Sequence, residues 1–271
     1  MVVALLGALT WHRGHAYHDA ETLWRDTLSR NPDAFIASDN LGAILLARGE
    51  LEPAAKHFED ALRAKPDHAE GLDNLGLVRQ RQGKLDEAAS YFREALRCDP
   101  NFPNAHNNLG TLLAQEGRTS EALEHFEQAV RLRPSFAKAH QNRGIVLERL
   151  KRPGEAVASY RESLRFAPDA HEVEKRVAWI LATDPDDRVR NGPEAVRYAQ
   201  AASAAAGGND PHALDVLAAA LAEAGRFDDA VRTAERALEL AGPSAAAGAR
   251  EGAAARLALY RAGRPFRRPA E

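Results

Sequence analysis

The chain has 271 residues, with 36 lysines and arginines against 39 aspartates and glutamates, a net charge of −3 and 45% hydrophobic residues. That balance is normal for a folded soluble protein and lacks the basic surplus of a nucleic-acid binder. A single cysteine, Cys98, excludes an intramolecular disulfide and a cysteine-built metal cage.

No run reaches the roughly 18–20 apolar residues that span a bilayer. Residues 1–10 (MVVALLGALT) are apolar but short, and lack the basic start and small-residue cleavage site of a secretory signal. Two readings weigh equally: a buried helix of an irregular first repeat, or the trailing end of a membrane helix that begins upstream. A working signal peptide is the lesser third. His12, His15 and His18 follow. On a helix the first two would share a face, but the third has rotated away. No cysteine or acidic cluster completes a site there, so the segment reads as a solvated linker and no metal is expected.

From residue 32 onward the chain repeats. Pro32, Pro66, Pro100, Pro134 and Pro168 stand 34 residues apart. A fixed period of this length marks a helix–turn–helix unit that buries its apolar stripe only against its neighbours. In the same register fall Gly42, Gly76, Gly110 and Gly144, then Ala54, Ala88, Ala122 and Ala156. The aromatics Phe58, Phe92, Phe126 and Tyr160 follow, and after them the small residues Ala61, Ala95, Ala129 and Ser163. Glycine and alanine suit close helix crossings, the aromatic fills the space between units, and proline ends the second helix. The spacing predicts a first helix over 69–81, a turn at Gly83 and a second helix over 85–97. Gly49, Gly83 and Gly117 mark the turns, and Glu52, Asp86, Glu87 and Glu121 open the second helices. Lys151 replaces the turn glycine, which predicts a looser stack over 143–153. Arg79 and Arg143 replace leucines, with stems on apolar surface and heads in water. His106 and His140 read as half-buried spacers.

After Pro168 the register breaks. Residues 170–183 read as a helix carrying Trp179, 185–192 as a polar loop, and 193–206 as a second helix ended by Gly207 and Gly208. Leu217, Gly225, Ala230 and Ala237 restore the offsets, with Ala234 in place of the aromatic. A last helix over about 244–262 would cap the end. The tail, 263–271, reads as disordered, and Arg256, Arg261, Arg264, Arg267 and Arg268 as solvated.

This pattern resembles the tetratricopeptide repeat. The match covers three strong units (35–68, 69–102, 103–136) and a looser fourth (137–170), with a second-helix half before them in Ala20, Trp24, Thr27 and Pro32. The resemblance implies an all-α fold, a right-handed α-solenoid of antiparallel helix pairs. It divides the chain into an N-terminal apolar helix and irregular first repeat (1–34), four repeats (35–170), divergent helix pairs with a cap (171–262) and the tail (263–271).

Asn40, Asn74, Asn108 and Asn142 also stand 34 apart, on the first helix of each unit. Asparagine is a poor helix former whose amide both donates and accepts, so it can pair with the peptide unit of an extended ligand. The resemblance implies that first helices line a concave groove. Protein O-linked N-acetylglucosamine transferases hold substrate chains with a similar ladder. The competing reading is that these asparagines join adjacent repeats. Asp39, Asp73, Asn107 and Gln141 precede the ladder and read as facing the groove or its edge, with Lys138 adding one positive charge. The carboxylate-clamp subfamily needs cations where Asp39 and Asp73 stand.

No nucleotide loop, metalloprotease helix or nucleophile elbow is present, so no catalytic residue and no cofactor is expected. Residues 10–32, with Trp11 and the Leu23–Leu28 run, and the end around 257–265 resemble the repeat-bearing C-terminal region of bacterial multi-span mannosyltransferase-like membrane proteins. The leading expectation is a non-enzymatic scaffold binding a protein or peptide ligand. The alternative is the substrate-recruiting end of a membrane glycosyltransferase-like protein. A cytoplasmic place goes with the first and the outer side of the inner membrane with the second. Exposed end helices leave room for a homodimer.

Overall fold

The computed structural model describes residues 19–242 and 247–269. The readings of residues 1–18, including the apolar start and the three histidines, lie outside it, as does the start of the last helix near 244. The described residues form fourteen α-helices and no strand. They fall into two compact units, 1–118 and 119–271. This boundary lies inside the regular repeats. In repeat folds each unit contacts mainly its neighbours, so a boundary need not follow the sequence register.

The first unit holds α1 (Ala20–Arg30), α2 (Phe35–Ala47), α3 (Leu51–Ala64), α4 (Ala69–Arg81), α5 (Leu85–Cys98) and α6 (Pro103–Gln115). The helix bounds and the turn at Gly83 agree with the 34-residue reading to within a residue. Gly49, Gly83 and Gly117 have φ of 81°, 79° and 79°, the left-handed region where a side chain is strained. Pairs α2/α3 and α4/α5 close on the repeat aromatics. A Cβ on Gly42 would lie 2.7 Å from the Phe58 ring, and one on Gly76 would lie 2.6 Å from Phe92. Each ring therefore lies directly on helix backbone, and both phenylalanines are fully buried. Each such ring contributes roughly 1.5–3 kcal/mol by leaving water. Leu41, Leu45, Leu75 and Val78 complete this core, with Trp24 and Leu28 of α1 packed against it. Arg79 does not put its head in water. Its guanidinium reaches Glu59 (2.8 Å) and Glu87 (3.2 Å), and its side chain is 15% exposed, because a charge this covered needs partners.

The second unit holds α7 (Thr119–Leu132), α8 (Ala137–Arg149), α9 (Pro153–Phe166), α10 (His171–Thr183), α11 (Gly192–Ala205), α12 (Pro211–Glu223), α13 (Phe227–Ala241) and α14 (Ala247–Arg261). The expected loosening over 143–153 is absent at the pair contact: Tyr160 covers Gly144 as the phenylalanines cover their glycines. Lys151 takes the glycine's place in the glycine's conformation, with φ of 57°. The helix-ending bonds still form, Lys151 N to Glu148 O and Arg152 N to Leu147 O. The turn keeps its shape, and lysine bears a conformational cost there. Arg143 donates to Ser159 Oγ at 3.1 Å.

The tail is not disordered over its described residues. Arg268 donates its backbone N–H to Thr183 O (2.9 Å), and its guanidinium meets buried Asp184 at 2.7 Å. Arg267 pairs with Glu223, and Phe266 lies 5.9 Å from the Trp179 ring. The arginines read as solvated are mostly paired: Arg256 with Asp215, and Arg261 with Glu235. The charge pattern concealed this because their carboxylates lie 26 to 84 residues away in sequence. The polar loop after α10 is tied in the same way. Arg190 donates to the carbonyls of Asp184 and Pro185 and pairs with Glu223. Gly192 then lets the start of α11 meet α12, since a Cβ there would fall 2.7 Å from Ala224 N.

Candidate functional site

In the first unit two of the three ladder asparagines, Asn74 and Asn108, bond to the preceding repeat. Asn108 Nδ2 donates to both carboxylate oxygens of Asp73, at 3.0 and 3.1 Å. Asn74 makes the same approach to Asp39, at 3.4 and 3.5 Å. Each asparagine thus reaches the aspartate of the preceding repeat, 35 residues back. Asn40 has no such partner in the pattern, because Leu5 stands 35 residues before it. It donates instead to Ile36 O of its own helix at 2.7 Å. Asp39, Asp73 and Asn107, expected to face the groove or its edge, are 6%, 3% and 7% exposed. The aspartates turn into the junction to accept the asparagine N–H groups, and Asn107 donates to Asn108 Oδ1. Burial drives the Asp73 carboxyl up to about 7. The Asn108 bond opposes this shift and the nearby Glu70 charge adds to it. Asn40, Asn74 and Asn108 keep part of their side chains in solvent.

Asn142, Gln141 and Lys138 lie on α8 of the second unit. Asn142 and Gln141 are half-buried, and exposed Lys138 points its ammonium toward Gln141 Oε1 at 3.5 Å. His106 in the first unit and His140 in the second direct Nε2 at the carbonyls of Pro100 (3.1 Å) and Pro134 (2.8 Å). They tie the start of a first helix to the inter-repeat turn. They act as connectors, and His140 is buried rather than half-buried.

The second unit contains a cavity of about 820 Å³ between α8, α10, α12, α13 and α14. Its volume lies in the range of sites that hold small molecules or short chain segments. The divergent helices position it. Trp179 projects from α10, Val216 from α12, and Leu238 and Ala241 from α13. Charged groups of both signs surround this apolar wall. Arg256 grips Asp215 through Nη2 (2.6 Å) and Nε (3.1 Å) and lies 5.5 Å from the Trp179 ring centre. Lys175 bridges Glu172 (2.6 Å) and Asp210 (3.7 Å), and Arg176 meets Glu148 at 3.1 Å. The Tyr160 hydroxyl also donates to Glu148, and its pKa is pushed upward by burial and by that carboxylate. Such a lining offers apolar contact and both signs of charge, and Arg250 adds a cation that donates only to the Gly242 carbonyl. The 34-residue register gave no sign of it, since Asp215 and Arg256 are 41 residues apart and α10–α11 have left the register. Trp179, a large aromatic in a divergent segment, was the one visible signal.

The sequence profile described as tetratricopeptide repeat matches residues 11–69, 46–104, 74–135 and 107–171, and a second profile of the same description matches 213–245. Comparison with curated proteins gives no match. Among solved structures, Pseudomonas aeruginosa pilF superposes with a TM-score of 0.66 at 25% identity, over 79% of this chain and 94% of that one. A chain of the APC/C hetero-tetramer Cut9–Hcn1 gives 0.61 at 14% identity, over 86% of this chain and 45% of that one. A MamA RS-1 double mutant gives 0.53 at 18% identity, over 72% and 99%. The last two speak for the fold alone. None of these matches supports the resemblance of the chain's ends to mannosyltransferase-like membrane proteins.

Proposed function

The chain belongs to the tetratricopeptide repeat family, and from that premise we propose that it is a non-enzymatic scaffold that holds a segment of a partner protein in the cavity of its second unit. The observation that carries this reading is the apolar wall of Trp179, Val216 and Leu238 inside a rim of mixed charge, most of it in ion pairs. Interfaces concentrate their binding energy in tryptophan, tyrosine and arginine at a desolvated centre, and Trp179 with Arg256 has that composition. The rim carries equal numbers of carboxylates and cations, so it does not select a strongly charged partner. An amphipathic segment fits it: one apolar anchor against Trp179, flanked by polar groups that exchange with the rim pairs. Asn74 and Asn108 of the first unit support this function by holding its repeats in register.

A peptide selected from a displayed library against the full chain supplies the test. Trp179→Ala should weaken that peptide at least about tenfold, which corresponds to roughly 1.4 kcal/mol. Asn40→Ala, whose amide serves only its own helix, should leave it unchanged. Equal affinity for wild type and Trp179→Ala, or a loss confined to Asn40→Ala, would remove the cavity from the account.

A further inference from the structure

At the junction of α2 and α4 two departures from the repeat coincide. His68 stands where the following units have Phe102 and Phe136, and Gly71 stands where they have Ala105 and Ala139. Those alanines are fully buried, so a methyl group belongs at this place. At position 71 it does not fit. A Cβ would lie 2.9 Å from His68 Cδ2 and 3.3 Å from Asp39 Oδ1. The missing methyl group is the cradle in which the imidazole approaches the carboxylate. Phe35 meets the imidazole edge-on at 5.2 Å and fixes its plane.

His68 Nε2 and Asp39 Oδ1 are 3.7 Å apart, too long for a hydrogen bond. Glu70 brings a second carboxylate, and one ligand atom from each of the three side chains lies within 4.8 Å of the others. Donors on a tetrahedral zinc ion, with bonds of about 2.0–2.1 Å, stand roughly 3.4 Å from one another. The imidazole and the Asp39 carboxylate are close to that separation already. Exposed Glu70 has the freedom to close the third side. Asn74, which donates to both oxygens of Asp39, orients the carboxylate as an outer-shell partner does. The next repeat supplies the contrast: with Phe102 in place of the histidine, Asp73 is held by Asn108 about 0.4 Å more tightly than Asp39 is by Asn74.

We infer that Asp39, His68 and Glu70 form a binding site for a borderline divalent cation of the zinc class. One nitrogen and two oxygens suit such an ion. Calcium would call for six to eight oxygens. Three protein ligands leave a position for water or for a donor from a bound partner. The ion would clasp α2 to the start of α4 and offset the buried Asp39 charge.

The test is calorimetric titration of the full chain with zinc chloride, for wild type and for His68→Phe and Glu70→Gln. Phenylalanine is what the neighbouring repeats carry at this position, so His68→Phe keeps the fold, checked by circular dichroism. Glu70 is exposed, so its change to glutamine keeps the fold, while removing the charge that adds to the Asp73 shift; circular dichroism checks this variant too. The expected result is one zinc fewer per chain for His68→Phe and at least about tenfold weaker binding at that site for Glu70→Gln. Zinc should also raise the thermal midpoint of wild type more than that of either variant. Because stoichiometry is read as a difference, zinc held by His12, His15 or His18 cancels. Equal stoichiometry and affinity in all three proteins would overturn the site and leave His68 and Asp39 as a plain histidine–carboxylate contact.

Discussion

A carboxylate that is 3% exposed has lost its water and keeps its charge only if protein groups replace that water. Asp73 has one such group, Asn108, and a like charge nearby in Glu70, so its pKa rises to about 7. The sign of the consequence follows. An acid with a raised folded-state value holds its proton in the folded chain after the unfolded chain has released it. The stability from the neutral form is complete below about pH 4 and is lost as pH rises toward 7, at up to roughly 1.4 kcal/mol per pH unit. Asp73→Asn removes this loss, and the following repeat already carries Asn107 at this position. Urea unfolding from pH 5 to pH 8 should show the variant gaining stability relative to wild type as pH rises. A constant difference across that range would deny the shift. The asparagines themselves show what a sequence conceals. Their period is plain in it, and so is their place on the first helices. Whether their amides meet a ligand or a buried carboxylate depends on a side-chain partner 35 residues away, which the period brings near but does not orient.

At the scale of the element, the helices were readable because each is dictated locally. A glycine is required wherever φ is positive, a small residue wherever Phe58 or Phe92 lies on helix backbone, and a proline follows each second helix of the regular repeats. The one exception makes a test. Lys151 adopts a left-handed φ of 57° that costs an L side chain roughly 1–2 kcal/mol. Lys151→Gly relieves it, less the extra freedom glycine gives the unfolded chain. Thermal or urea unfolding should show a net gain of about 0.5–1 kcal/mol, and a loss would mean that the lysine side chain contributes more than its backbone costs. The closing segment was unreadable for the opposite reason, since its order rests on distant partners. Phe266 packs on Trp179 and Arg256, and Arg268 on Thr183 and Asp184. Phe266→Ala should cost about 1–2 kcal/mol of stability, less than a fully buried phenylalanine would. An unchanged unfolding midpoint would return the segment to the role of a loose end.

For the molecule as a whole, regularity and function separate. In the strict repeats Asn74 and Asn108 make asparagine–aspartate joints, and His106 and His140 make histidine–carbonyl joints. The irregular helices of the second unit, freed from the register, enclose an apolar recess of about 820 Å³. That division is the physical content of the scaffold reading, and Trp179 is where it is most exposed to contradiction. The chain has three tryptophans, Trp11, Trp24 and Trp179. With Trp11→Phe and Trp24→Phe in the full chain, emission reports on Trp179 alone. Titration with a peptide selected on wild type should shift that emission to shorter wavelength and saturate at the calorimetric Kd, as the half-buried indole is covered. Binding by calorimetry with Trp179 emission unchanged would contradict the account.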